Sequence, residues 1–196
     1  TGVKDKRVVV VGGGNVAIDV ARTALREGAS SVQLISLESH EQMPAHPQEI
    51  AEAKAEGVAM RNSCGVAWFE GEDAVTGVQL LQCVSVYDEA GRFSPQYGEG
   101  PIGSIECDVV VVAAGMRPDS GAFGLPVNAS GTIQVDEGTL QTSVPHVFAA
   151  GDVVLGPTMI TTAAGQGRRA AFMIARWLQG EPLDPAAFDG ALPTMD

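Results

Sequence analysis

The sequence predicts an α/β fold built on a parallel sheet, and three observations carry that prediction. Arg7–Val11 is a short β-branched run ending in three consecutive glycines, as a buried strand entering a tight turn does. Asn15–Glu27 follows with Val16, Val20, Ala21 and Leu25 at helical spacing, and Gly28 ends it. Val32–Ser36 is a second strand. Two strands and a helix in about 30 residues make a β-α-β unit, whose strands lie parallel with a right-handed crossover.

The remaining elements extend this frame. Pro47 opens a second helix, Gln48–Glu56, closed by Gly57. Ala59–Asn62 reads as a third strand. Gly77–Tyr87 reads as a long strand paired with Ser104–Cys107 across the Gly/Pro-rich stretch Gly91–Gly103, a β-meander excursion from the parallel sheet. Glu70–Asp73 reads as a solvated turn. Asp108–Ala113 is another buried strand, ending at Ala114-Gly115. The composition shifts after Met116-Arg117-Pro118. Beyond it are a loop from Asp119 to Gly131, short strands at Thr132–Val135 and Val147–Ala149, and a helix from Ile160 to Leu178. Ala163, Ala170, Ile174 and Leu178 give that helix one face for burial, and the tail from Gly180 reads as loosely ordered. So few elements cannot close a core alone. The second part is therefore expected to pack on elements outside this chain.

Composition narrows the function. The 196 residues are 45% hydrophobic and 18% charged, as in an ordinary globular protein, and can bury about 70% of the unfolded surface. Twelve Lys and Arg stand against 24 Asp and Glu, a net charge of −12. Such a surface repels nucleic acid and anionic membranes. No apolar run approaches the roughly 20 residues of a membrane span, and Thr1–Arg7 holds no signal-peptide core. Cys64, Cys83 and Cys107 are scattered, with no Cys-x-x-Cys and no zinc or iron–sulfur spacing. They read as reduced core thiols of a cytoplasmic protein.

Gly12-Gly13-Gly14-Asn15-Val16-Ala17 fits G-x-G-x-x-G/A, the dinucleotide fingerprint, after a strand and opening a helix. Gly12 allows the sharp turn. Gly14 lets a pyrophosphate approach the backbone, and Ala17 allows close helix–strand packing. Unpaired amides of the first helical turn and the helix dipole face the anion. The alternative is a glycine-rich turn that only packs. Glu38 lies 21 residues past Ala17, where an acid bonds the ribose 2′-hydroxyl. Beside it a 2′-phosphate is repelled by roughly 1–2 kcal/mol, about tenfold in affinity. No Arg lies between Glu27 and Met60 to clamp that phosphate. NAD(H) is thus favoured over NADP(H). The alternative is that Glu38 is a solvated loop carboxylate.

The glycine loop, Glu38-Ser39-His40-Glu41-Gln42-Met43-Pro44-Ala45, and Ala149-Ala150-Gly151-Asp152 occur together here. In that combination the sequence resembles the small (β) subunit of glutamate synthase and its relatives. These are NAD(P)H-dependent flavoprotein oxidoreductases of the pyridine nucleotide-disulfide oxidoreductase superfamily. The resemblance runs from about Lys6 to Leu178. It implies a Rossmann-like NAD(P)-binding domain over about 1–116, then the C-terminal half of a split FAD-binding domain over 117–196. It further implies that the first FAD half and an iron–sulfur segment lie outside this chain, which would be a piece of a longer polypeptide and inactive alone. Electrons would pass from NAD(H) to FAD and on to iron–sulfur centres or a partner subunit.

The resemblance also assigns residues. Gly12, Gly14, Asn15, Val16 and Ala17 match the pyrophosphate loop, and Ala114 and Gly115 the strand end that passes over the dinucleotide. Arg117-Pro118 falls at the interdomain hinge. Gly151 and Asp152 match the flavin motif. Met159, Ile160 and Thr161 match the helix start beside the flavin pyrimidine ring, where the positive dipole end stabilises charge. NADPH-preferring members carry Arg-Arg where this chain has Leu37-Glu38. In many two-dinucleotide-fold enzymes the ribose acid sits at the strand end, here Ser36. Met43-Pro44-Ala45 reads as a rigid loop near the nucleotide, His40 and His46 as surface residues, and His146 as structural. Two other readings remain open: a thioredoxin-reductase-like disulfide reductase, which needs a dithiol, and a non-enzymatic nucleotide-binding or assembly module.

Overall fold

The computed structural model describes residues 2–190. They divide into two compact units, the first ending at Gly115 and the second starting at Met116.

The first unit is built on β1 (Arg7–Val11), α1 (Asn15–Arg26), β2 (Ser31–Ile35), α2 (Pro47–Glu56), β3 (Ala59–Arg61), β4 (Cys64–Glu70), β5 (Gly77–Tyr87), β6 (Phe93–Glu106) and β7 (Val109–Val112). Strands β3, β2, β1 and β7 form a parallel sheet in that order. Side chains alternate across it. Val8 and Val10 pack with Ala17, Ile18, Ala21, Ile50 and Ala53 of the two helices. Val9 and Ile35 face the other way, onto Cys64, Val78, Leu80, Ile105 and Cys107. With both faces covered, β1 is apolar from Val8 to Val11, as buried parallel strands are.

Strands β4, β5 and β6 form the antiparallel meander that covers the second face. It is larger than the sequence predicts. Residues 64–69, unassigned from sequence, and Glu70, expected in a turn, are a strand whose register shifts between Val66 and Trp68, which breaks the alternation that signals a strand. The Gly/Pro-rich stretch is mostly strand too. Pro95 and Pro101 are tolerated because β6 is an edge strand, and repeated register shifts absorb the glycines.

Helix α1 buries Ala17, Ile18, Ala21 and Ala24, whereas Val16, expected on the apolar face, is 66% exposed beside the glycine loop. Ion pairs tie the helices together. Arg22 and Arg26 both bond Glu56, and these bonds hold its carboxyl at about 2, below the usual carboxylate range. At the amino end of the sheet, Nε and Nη2 of Arg7 grip the two oxygens of Asp108, whose carboxyl is likewise lowered to about 2. This joins β1 to β7.

The second unit holds α3 (Asp152–Leu155), α4 (Ile160–Leu178) and α5 (Pro185–Gly190). The two short strands expected there are single bridges, Val127 with Ile133 and Gln141 with Phe148. The expected burial face of α4 also differs. Ala170 and Met173 are its buried residues, while Ile174 and Leu178 are exposed. The region after Gly180 contains a helix rather than loose chain alone. Asp184 Oδ1 accepts from the Ala186 amide, Pro185 starts the turn, and Phe188 is buried edge-on to Phe172.

Candidate functional site

All four parallel strands end at one edge of their sheet, where Val11 is level with Ile35 and Val112, and Ile35 with Arg61. Ligands of open α/β sheets bind outside the carboxyl ends of the strands. The residues singled out in the first unit leave from that edge.

Gly12 sits at φ +146, and its amide donates to the Ile35 carbonyl at 2.9 Å. A Cβ there would collide with the Ala113 carbonyl oxygen and press on Ala17. Ala114 and Gly115, both exposed, follow directly from that contact. Gly14 is the extended residue before α1, and no side chain caps it. Nothing lies within 4 Å of where its Cβ would be. The first turn of α1 carries no acid. An open approach therefore leads to uncapped amides at the positive end of a helix dipole, which suits an anionic diphosphate.

Glu38 reaches this loop. Its Oε2 lies 2.5 Å from the point a Cβ on Gly13 would occupy, so the middle glycine is what lets the carboxylate lie against the loop. Sequence reasoning missed Gly13 because its cause lies 25 residues further along; three glycines where the fingerprint needs two was the available signal. Ser36, the strand-end position, is 1% exposed and its hydroxyl donates to the Glu38 carbonyl oxygen at 3.0 Å.

The Asn15 side chain fastens the loop to its support. Its Oδ1 accepts from the His46 amide at 2.8 Å, and the Ala45 amide donates to the Gly13 carbonyl at 3.2 Å. Met43 and Ala45 are buried in the core cluster that holds α1. The Met-Pro-Ala segment thus braces the glycine loop from behind. His40 and His46 are exposed.

In the second unit, Gly151 adopts φ +75, and its amide donates to Gln166 Oε1 at 2.7 Å. A Cβ on Gly151 would stand 3.6 Å from that of Ala163, so the turn rests on the first part of α4. That brings Gly151 and the exposed Asp152 to the start of α4, where Met159 precedes the helix without a side-chain cap. Met159, Ile160 and Thr161 are exposed, Ile160 to 88%, and the first turn holds no acid. Among the described residues no cluster of His, Cys, Asp and Glu could hold a metal ion, and no helix is long and apolar enough to cross a membrane.

Residues 1–167 match the pyridine nucleotide-disulphide oxidoreductase family. The chain belongs to that family. It is 41% identical over 190 residues to the NADP(+)-dependent formate dehydrogenase subunit beta of Moorella thermoacetica, covering 94% of this chain and 27% of that one. It is 37% identical over 188 residues to the glutamate synthase [NADPH] small chain of Azospirillum brasilense, covering 93% and 39%. The chain thus spans well under half the length of these relatives. Among solved structures, thioredoxin reductase of T. acidophilum is 28% identical with a TM-score of 0.71, over 90% of this chain and 54% of that one. FprA of Mycobacterium tuberculosis in complex with NADPH is 19% identical with a TM-score of 0.71, over 100% and 56%, and shares the fold.

Proposed function

We propose that this oxidoreductase-family chain is the pyridine-nucleotide domain and the second FAD half of a longer NAD(P)H-dependent flavoprotein, and that its glycine loop binds NAD(H). The observation that carries this reading is the open, uncapped start of α1 above Gly14, with the Glu38 carboxylate against Gly13. Gly12 and Ala17 hold the turn tight. The amides of Asn15 and Val16 face the pyrophosphate, the exposed Val16 side chain borders it, and Ala114-Gly115 line the path toward the nicotinamide. Glu38 accepts from the ribose 2′-hydroxyl and repels a 2′-phosphate.

In the second unit, Gly151 and Asp152 and the α4 start at Met159, Ile160 and Thr161 face FAD, supported by the exposure of Asp152, Met159, Ile160 and Thr161 around an uncapped helix and by the turn at Gly151 that rests on it. Hydride transfer between the two bound rings is cofactor chemistry, so the chain supplies orientation and electrostatics with no acid or base. The short span of each relative matched supports the view that further domains complete the flavin site. Relatives named as subunits of formate dehydrogenase and glutamate synthase support a partner subunit as the electron acceptor.

Those relatives are named for NADP(H), whereas Leu37-Glu38 in this chain favours NADH. Titrating the chain with NADH and NADPH separately, by nicotinamide fluorescence, tests this. NADH is expected to bind about tenfold tighter. Tighter NADPH binding would overturn the preference, and binding of neither would overturn the nucleotide site. A second reading, disulfide reduction, draws on the likeness to thioredoxin reductase. It requires a Cys-x-x-Cys dithiol, which Cys64, Cys83 and Cys107, all buried free thiols, do not form.

A further inference from the structure

Glu38 lies in a turn fixed from three sides. Its carbonyl oxygen accepts from the Ser36 hydroxyl at 3.0 Å and from the Ser63 amide at 2.9 Å. Asn62 Nδ2 donates to the Ser36 oxygen at 2.8 Å, so that hydroxyl commits its one proton to Glu38. Ser63 is itself pinned. Its carbonyl accepts from the Cys83 amide at 2.9 Å and from Gln82 Nε2 at 2.8 Å, both on β5. The Ser36 main chain bonds on both sides as well, its amide to Arg61 and its carbonyl to the Cys64 amide. Leu37 Cδ2 and the Tyr97 ring converge over Gly65, 3.0 and 2.7 Å from where its Cβ would be, which anchors Leu37 against the meander.

An exposed glutamate on an untethered loop samples several rotamers, and its field on a neighbouring phosphate falls with distance and screening. A carboxylate held in one place against the loop both bonds a ribose and rejects a phosphate there. We propose that Ser36, Asn62 and Ser63 are positioning residues that hold Glu38 against Gly13 and thereby set the discrimination between nucleotides with and without a 2′-phosphate. The inference rests on the glycine loop being the NAD(H) site. It gives the meander a part in cofactor choice, because β5 carries the groups that fix Ser63.

The test measures dissociation constants of NADH and NADPH for the chain and for Asn62→Ala, Ser36→Ala and Glu38→Gln, with melting temperatures alongside. The parent is expected to favour NADH about tenfold. Asn62→Ala and Ser36→Ala should reduce the preference to about threefold or less, chiefly by loosening NADH. General loosening of the fold weakens both nucleotides alike and leaves their ratio unchanged. Asn62→Ala trims a half-buried side chain and carries the test alone if Ser36→Ala does not fold. If Glu38→Gln abolishes the preference while both alanine variants keep it within about twofold, the positioning role is overturned and the NAD(H) reading stands. If Glu38→Gln leaves the preference intact, both are overturned.

Discussion

Gly12, Gly13 and Gly14 are adjacent, and each is a glycine for a separate physical reason. At Gly12 the backbone is at φ +146 and the Ala113 carbonyl fills the Cβ position. Gly12→Ala is therefore expected to lower stability by about 3 kcal/mol, read as a drop in melting temperature of several degrees. At Gly13 the obstacle is the far end of the Glu38 side chain. Gly13→Ala should fold, displace that carboxylate and narrow the gap between NADH and NADPH affinity. The sharp turn at Gly12 and the close packing at Ala17 were legible in the sequence because local strand–turn–helix geometry dictates them. Gly13, Ser36 and Asn62 were not, because their constraints come from contacts between residues distant in the chain. Asn15 matched its motif, and the structure adds that its side chain bonds the His46 amide.

At the scale of elements, signals survived where one physical cause acted alone. Strand β1 was legible because burial on both faces leaves an unbroken β-branched run. Strand β4 was hidden by its register shift, and β6 by prolines that only an edge strand tolerates. The ion pairs joining elements were also illegible, since Arg7 and Asp108 are 101 residues apart. They carry a pH dependence. Asp108 and Glu56 are lowered to about 2 in the fold, so the stability they add is present above the ordinary carboxylate range and lost as pH falls through about 2. Melting temperature should fall from about pH 5 downward. Asp108→Asn should lower it at pH 7 and make little difference near pH 2, and an equal effect at both would contradict this account.

The whole molecule sets a long-range field against a local one. A chain of net charge −12 repels a dinucleotide at a distance, while the α1 start attracts its pyrophosphate at contact. Salt shortens the Debye length from about 30 Å at 0.01 M to about 8 Å at 0.15 M. Stopped-flow association with NADH should therefore quicken as salt rises over that range, and slowing would show that the local field dominates at encounter.

The proposed nucleotide site stands or falls with the turn at Gly14. Gly14→Ala isolates it, because the backbone there is ordinary at φ −89 and nothing lies within 4 Å of the new Cβ. The substitution should cost about 1 kcal/mol or less of stability while placing a methyl group where the pyrophosphate approaches. Titration of NADH into the parent and the variant decides the matter. The parent is expected to bind, and the folded variant to bind at least tenfold more weakly, about 1.4 kcal/mol. Equal affinity in both would contradict it.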